Sequence, residues 1–120
     1  GAPYMQYVHA RCCGILAKQK SDSLGVDSTL LSSKEELDLL HEISRLPFVV
    51  SSAAEALEPH RIITYAQKLA EKFNIFYREC PVLKGTDSEL MAARLSLVTA
   101  TKNTMSNSLY LVGIESPDSM

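Results

Sequence analysis

The segment between Pro59 and Pro81 carries a strong helical pattern in this 120-residue chain. Its apolar residues recur at alternating spacings of four and three, at Ile62, Ala66, Leu69, Phe73, Phe76 and Cys80. This alternation places all of them on one face of an α-helix about 20 residues long. Such a helix needs other elements to cover its apolar face, because packing supplies most helical stability. The pattern therefore predicts a helical core.

Two helices are predicted before this segment. Pro3 can occupy the first position of a helix, which we expect to continue to about residue 20. Its apolar face consists of Met5, Val8, Cys12, Ile15 and Leu16. Residues 21–33, SDSLGVDSTLLSS, are rich in Ser, Asp and Gly and predict a loop. Ser33 and Glu36 then have the spacing of a capping box. The second helix follows, with a predicted face of Leu37, Leu40, Ile43 and Ser44.

The remaining helices are predicted from proline, glycine and capping signals. Pro47 begins a short third helix, PFVVSSAAEAL, and the long fourth helix starts at Pro59. Thr86 and Glu89 offer a capping box for a fifth helix that ends near Gly113. Its predicted face is Leu90 or Met91, Leu95, Val98, Met105, Leu109 and Val112. No segment alternates as a strand does, so we predict an all-α bundle of about five helices. We expect a single domain over residues 1–120.

Charge and cysteine content narrow the classes of function. A net charge of −2 and a pI near 5.9 disfavour a strongly basic nucleic-acid binder, although a local basic face remains compatible. The three cysteines include no Cys-x-x-Cys pair, so we expect neither a zinc site nor a disulfide scaffold. Reduced, mostly buried thiols favour a cytoplasmic protein. The sequence shows no membrane-spanning run or signal peptide, and because it lacks an initiator Met we expect a piece of a longer protein.

Signals for catalysis are weak. His9, His41 and His60 are scattered, and we expect each to be a capping or surface histidine rather than a metal ligand. The carboxylates at positions 35, 36, 38 and 42 are expected to form a solvated helix face. The stretch EPHR at 58–61 is expected to fix a helix start, with a functional patch as the alternative. No catalytic, cofactor or metal site is predicted.

An aromatic stripe is the more informative feature. Tyr4, Tyr7 and Arg11 share one side of the first helix, since residues three and four apart are surface neighbours. Tyr77 closes the fourth helix. Phenol rings and guanidinium planes can stack on unpaired RNA bases. The pattern alone favours core packing with wet hydroxyls over RNA binding. A helical protein-interaction module without an RNA role is a further alternative.

Three stretches resemble arginyl-tRNA synthetases, in the same order. PYMQYVHARCCGIL resembles a family stretch of the form PYxQYxHAR. EALEPHRIITYAQKLAEKFNIFYRECPVL resembles the family's LEPHR, FNxFY and CxVL stretches. AARLSLVTATKNTMSNSLYLVGIESPDSM resembles its last helix and tail, which finish on Met. The resemblance covers residues 3 to 120 and implies the C-terminal, all-α anticodon-binding domain of the DALR type.

The resemblance also implies a site and partners. In the family, residues matching Tyr4, Tyr7, Arg11, Tyr77 and Met120 face the anticodon loop of arginine tRNA. We therefore expect no catalysis by this chain, and we expect ATP and arginine to be used by a catalytic domain of the same polypeptide outside it. We also expect a monomer. Ser119 and Asn107-Ser108 depart from the family pattern, which commonly has Arg and Asn-Gly there. The equivalent domain of the cysteinyl enzyme is an alternative, which VGIESPDSM disfavours.

Overall fold

The computed structural model describes residues 1–19 and 25–120, and its regular elements are helices. They are α1 (Ala2–Lys18), α2 (Lys34–Ser44), α3 (Leu46–Ala56), α4 (His60–Glu79) and α5 (Ser88–Leu111). A single 3₁₀ turn, Ser28–Leu30, precedes α2. No strand occurs in the described residues. The prediction of an all-α bundle of five helices is confirmed.

Helix α4 is the centre of the bundle, because α1, α2, α3 and α5 all pack against it. Its predicted apolar face is fully inside, with Leu69, Phe73 and Phe76 each 0% exposed. Helix α5 runs along α1, α4 and α2. Its buried residues are Ala93, Leu95, Leu97, Val98, Thr101, Met105, Ser108 and Leu109. The two longest helices therefore form the core that the other three cover.

Most predicted helix boundaries lie within one or two residues of the observed ones. Helix α1 ends at Lys18, and Gln19 follows in an extended conformation. The predicted continuation to residue 20, and residues 21–24 of the predicted loop, lie outside the described residues. Glu58 binds Arg61 Nε at 2.8 Å, one residue before Pro59 at the N-cap position. This contact supports the structural interpretation of the EPHR stretch.

The start of α5 is built differently from the prediction. Asp87, not Thr86, is the N-cap residue, and its carboxylate accepts a hydrogen bond from the Glu89 amide. The Thr86 hydroxyl instead donates to the carbonyl oxygens of Pro81 and Lys84. Both residue types are good N-caps, so the sequence alone could not separate two neighbours. At the other end, Gly113 has a positive φ of 77°, as expected of a residue that terminates a helix.

The predicted buried face of α2 is wrong. Leu37 and Leu40 are 48% and 41% exposed, whereas Leu39 is fully buried. Glu36 and Glu42, expected in a solvated face, are each only 2% exposed. The spacing of the leucine and isoleucine residues in α2 is compatible with burial of either side of the helix. Partners on other elements decided which side turned inward, because they satisfy the two buried carboxylates.

Glu36 ties three segments together. Its carboxylate accepts hydrogen bonds from the amides of Ser32 and Ser33, which completes the predicted capping box. The Nε of Arg94, on α5, donates to the same carboxylate at 2.9 Å. The Nη1 of Arg94 donates to the carbonyl oxygen of Pro81. Burial by itself raises the pKa of Glu36, but the hydrogen bonds from Arg94 and the two serines outweigh it and leave the pKa below its usual value. Folding therefore favours the ionised form of the Glu36 carboxylate.

Glu42 is held in a comparable way. Arg45 forms a short ion pair with its carboxylate, and Lys68 of α4 lies 3.8 Å away. The hydroxyl of Tyr65 donates to its backbone carbonyl oxygen at 2.5 Å. These contacts join α2 to α4 around the buried Glu42 and Tyr65 side chains. No helix in the described part of the chain is long and apolar enough to cross a membrane.

Leu69→Ala tests the core on α4. We expect a loss of about 2–5 kcal/mol in the free energy of unfolding, because Leu69 is fully buried and the truncation leaves a cavity. Urea denaturation followed by circular dichroism measures it. Ile75→Ala is the matched control on the same helix, since Ile75 is 39% exposed, and we expect a loss below about 1 kcal/mol. Equal losses in the two variants would contradict the core described above.

Glu36→Gln tests the charged link to Arg94. Because folding lowers the Glu36 pKa, the ionised form contributes stability above the unfolded value of about 4.3, and this contribution is lost as the pH falls through the folded value. We expect the variant to lose about 1–3 kcal/mol at pH 7 and to show a shallower fall in stability below about pH 4.3. Urea denaturation between neutral and acid pH measures both. Glu71→Gln, at an exposed site on α4, is the control and should change neither the stability at pH 7 nor its fall at acid pH.

Candidate nucleic-acid interface

Four of the predicted site residues come together where α1 crosses the carboxyl-terminal half of α4. The guanidinium carbon of Arg11 lies 4.7 Å from the ring centre of Tyr77 and 5.7 Å from that of Tyr7. Tyr4 and Tyr7 are 38% and 48% exposed. We call Tyr4, Tyr7, Arg11, Asn74 and Tyr77 the aromatic patch. Tyr4 and Tyr7 are partly open to solvent, so the core-packing alternative does not describe these two rings, whereas Tyr77 is half-buried against the core.

Asn74 was missed by the sequence analysis. Its side-chain amide donates to the Tyr4 hydroxyl at 2.9 Å, and its carbonyl oxygen accepts from Arg11 at 3.4 Å. It therefore links the two ends of the α1 stripe to α4. One signal in the sequence could have found it: asparagine is a weak helix former, and this one lies in a helix interior three residues before Tyr77.

Two features hold the patch ready for a ligand. Tyr77 stacks on the buried ring of Phe73, with ring centres 5.9 Å apart and planes 9° from parallel. The core therefore fixes the orientation of the half-buried Tyr77 ring. Arg11 forms no ion pair with any carboxylate among the described residues. Its guanidinium contacts two aromatic rings and one amide oxygen, none of which is charged, so its positive charge remains available to an anion.

The segment that follows α5, residues 112–120, is called the tail. It lies against α1, where three side chains one helical turn apart hold it. Gln6 donates to the carbonyl oxygen of Glu115 at 3.0 Å, and His9 Nδ1 lies 2.9 Å from that of Pro117. Cys13 Sγ lies 3.8 Å from a carboxylate oxygen of Asp118. The prediction for His9 is wrong: it is neither a cap nor a surface residue but is 4% exposed beneath the tail.

The aromatic patch and the tail flank α1 on different sides. Successive helical residues turn by about 100°, so the Gln6–His9–Cys13 stripe lies roughly 160° from the Tyr4–Tyr7–Arg11 stripe. Between them the helix presents Gly14 and Ala17, both exposed. A side-chain Cβ added at Gly14 would meet no atom within 4 Å. The patch and the tail thus border a strip of α1 that offers little obstruction to a ligand.

Met120 is the predicted site residue that the structure does not bring into the patch. It is 67% exposed at the end of the tail, two residues beyond the contact between Asp118 and Cys13. The spacing of four and three on α1 predicted the grouping of Tyr4, Tyr7 and Arg11. The position of Met120 depends on how the tail folds back, which no local pattern specifies. Its role in binding stays a prediction.

The three cysteines are free, and the described surroundings make two of them unreactive. Cys12 and Cys80 are buried, and burial raises the pKa of Cys12 to about 12. Cys13 is half-buried, and its pKa is raised by burial first and by the neighbouring Asp118 carboxylate next. The thiolate, which is the reactive form, is therefore disfavoured at neutral pH. The geometry offers no cysteine nucleophile.

A second concave surface lies between α3 and α4, far along α4 from the aromatic patch. Its cavity of about 500 Å³ is lined in part by Arg45, Arg61, Lys68 and the exposed ring of Phe48. The two arginines are paired with Glu42 and Glu58 respectively, and Lys68 also lies near Glu42. These cations serve ion pairs within the fold, so this cavity is a weaker candidate for binding an anionic ligand than the patch.

A family profile described as the DALR anticodon binding domain matches residues 5–120. The chain belongs to this family. The match includes the aromatic patch except Tyr4, and it includes the tail. The family assignment made from the three sequence stretches is thus confirmed.

The DALR chain is also similar to proteins named arginine–tRNA ligase. It is 53% identical over 120 residues to the one from Haloarcula marismortui, covering 99% of this chain and 21% of that protein. For the protein from Methanosarcina barkeri, the identity is 42% over 125 residues, covering 100% of this chain and 22% of that protein. The DALR chain therefore spans about a fifth of the length of these relatives. Both are arginine–tRNA ligases, as the resemblance predicted, and not cysteinyl enzymes.

Solved structures agree with this assignment. The arginyl-tRNA synthetase of Thermus thermophilus superposes with a TM-score of 0.88 at 31% identity, covering 98% of the DALR chain and 21% of that protein. The arginyl-tRNA synthetase of Plasmodium falciparum gives a TM-score of 0.84 at 24% identity, also over 98% of the chain and 21% of that protein. The second likeness shows the fold alone.

Proposed function

We propose that this DALR domain binds the anticodon loop of arginine tRNA through its aromatic patch and tail. The observation that carries the proposal is the grouping of two exposed tyrosines, Tyr77 and an arginine without a carboxylate partner. Membership of an anticodon-binding family and similarity to arginine–tRNA ligases support the choice of RNA. A net charge of −2 fits a module that depends on the rest of its parent protein for most of its affinity for tRNA.

The chemistry of the patch suits an unpaired loop. Bases that leave the anticodon stack expose their flat faces, and Tyr4 and Tyr7 offer rings on which such faces can stack. Arg11 can donate to a phosphate or to a base edge while it remains against Tyr77. The exposed thioether of Met120 adds adaptable apolar contact from the other flank of α1. Together they would enclose a loop that lies over Gly14.

The remaining activity belongs to parts of the parent protein outside this chain. We propose that the parent is an arginine–tRNA ligase, whose catalytic domain uses ATP and arginine while this domain positions the tRNA. Similarity over about a fifth of the length of such ligases supports this division. We further propose that the protein works as a monomer. We place it in the cytoplasm, where thiols stay reduced, because its three cysteines are free.

A helical protein-interaction module remains the rival function, since an exposed aromatic surface can also receive a partner helix. Salt dependence separates the two. Binding of tRNA releases counterions from its phosphates, so the affinity should fall steeply as salt is added. Contact with an apolar partner helix should respond little. The proposal requires the steep response.

Substitutions in the patch test the proposal directly. In the full-length ligase that contains this chain, Tyr7→Ala should weaken binding of arginine tRNA by about 1–3 kcal/mol, roughly tenfold to a hundredfold, because one stacking ring is lost. Tyr7→Phe should be milder, since it keeps the ring. Arg11→Ala should weaken binding and also flatten the salt dependence, because one cationic partner is removed. Filter binding or fluorescence anisotropy over a series of salt concentrations measures these changes.

Controls separate binding from folding. Phe48→Ala removes an aromatic ring that is 70% exposed on α3, away from the patch, and should leave tRNA affinity unchanged. Deletion of Met120 should cost less than Tyr7→Ala, because a thioether supplies contact area but no charge. The proposed site is wrong if Tyr7→Ala, Arg11→Ala and the Met120 deletion fold and bind tRNA like wild type. A lower melting temperature with intact affinity would instead indicate a structural role.

The division of labour gives a separate prediction. This 120-residue chain alone should not activate arginine, because we assign the use of ATP and arginine to a catalytic domain outside it. ATP–pyrophosphate exchange with arginine should stay at the background measured without protein. Exchange that rises in proportion to the chain's concentration would overturn the assignment of catalysis to another domain.

A further inference from the structure

Three side chains able to bind a metal meet where the tail crosses α1. His9 and Cys13 are one helical turn apart, and Asp118 arrives from the other end of the sequence. One ligand atom from each lies within 4.8 Å of the others. Cys13 Sγ lies 3.9 Å from His9 Nδ1 and 3.8 Å from an Asp118 oxygen. Such a His, Cys and Asp set was not expected from the sequence, which contains no Cys-x-x-Cys pair.

We propose that His9, Cys13 and Asp118 bind a single borderline-soft divalent cation, of which Zn²⁺ is the best match, and that the cation fastens the tail to α1. This inference does not depend on the proposed RNA-binding function. Thiolate, imidazole and carboxylate are the ligands that zinc takes in proteins. Hard cations such as Mg²⁺ and Ca²⁺ prefer oxygen ligands throughout, so this set disfavours them.

The distances leave a short adjustment to tetrahedral geometry. With zinc bonds of about 2.0–2.3 Å, neighbouring ligand atoms in a tetrahedron lie about 3.4–3.6 Å apart. The two measured separations from Cys13 Sγ exceed this by only a few tenths of an ångström. Asp118 is exposed near the chain terminus, so its side chain is free to close the remaining gap. The carbonyl oxygen of Pro117, 2.9 Å from His9 Nδ1, or a water molecule can fill the fourth position.

Protons and charges balance in the proposed site. On binding, Cys13 releases its thiol proton to solvent and becomes a thiolate ligand. His9 Nδ1 lies 2.9 Å from the carbonyl oxygen of Pro117, which can only accept, so Nδ1 carries the ring proton in the absence of a cation. On binding, this proton moves to Nε2 and Nδ1 presents its lone pair to the cation. The thiolate and the Asp118 carboxylate then neutralise the two positive charges. Lys102 lines the adjoining cavity and opposes a cation, but its long stem allows the ammonium group to turn toward solvent.

The consequence would be a fixed tail. Three side chains of α1 contact the tail, and two of these contacts, at His9 and Cys13, are part of the proposed site. A bound cation would replace these two by bonds to one centre and restrict the chain between Asp118 and Met120. Met120 would then be presented from a defined position beside α1.

Cobalt titration of the 120-residue chain under reducing conditions tests the proposal. Co²⁺ takes the same ligands as zinc and reports a thiolate ligand through a charge-transfer absorption band. We expect the band to saturate at one Co²⁺ per chain and to disappear when Zn²⁺ is added. Cys13→Ser should abolish the band, and Asp118→Asn should weaken Co²⁺ binding at least tenfold. Both sites are partly or fully exposed, so the variants should fold, as circular dichroism will check.

Cys12→Ala is the matched control, because Cys12 is the adjacent thiol but is fully buried and outside the ligand set. It should keep the band and the one-to-one stoichiometry. Zn²⁺ should raise the melting temperature of the wild type and of Cys12→Ala but not of Cys13→Ser. The proposal is overturned if no charge-transfer band forms, if the band persists in Cys13→Ser, or if Zn²⁺ stabilises all variants equally.

Discussion

The buried face of α4 is the constraint on which the rest of the structure depends. Leu69, Phe73 and Phe76 are removed from water only because the other four helices pack around them. Burial of apolar area is the main favourable term in folding, and here one helix contributes much of it. The same packing brings α1 across the end of α4, where Phe73 supports Tyr77 from within. The candidate interface therefore rests directly on the core.

Three surfaces of helix α1 make different contacts. Its apolar face, including Val8 and Cys12, closes the bundle. One flank carries Tyr4, Tyr7 and Arg11 to the aromatic patch, and the other carries Gln6, His9 and Cys13 to the tail. A ligand at the patch and a change in the tail would thus act on opposite flanks of one rigid helix. The proposed metal site would act at the second flank without occupying the first.

Local patterns predicted the helices and part of the site. The capping box at Ser33 and the four-and-three spacing on α4 depend on neighbours within one or two turns, and both were confirmed. The same spacing grouped Tyr4, Tyr7 and Arg11. The inward face of α2 was predicted wrongly, because Glu36 becomes acceptable in the interior only when Arg94, 58 residues later, donates to it. Asn74 and the buried position of His9 were missed for the same reason.

The sequence by itself determined which segments are helical, which face of α4 is buried and which family the chain resembles. These properties follow from contacts between near neighbours and from motifs written continuously in the chain. Only the tertiary structure decided that Arg11 lies on Tyr77, that Glu36 is buried and that Asp118 meets Cys13. Each depends on residues far apart in sequence: Arg11 with Tyr77, Glu36 with Arg94, and Asp118 with Cys13. Their contact is set by how the helices cover α4 and by the path of the tail, which depend on the packing of the whole chain.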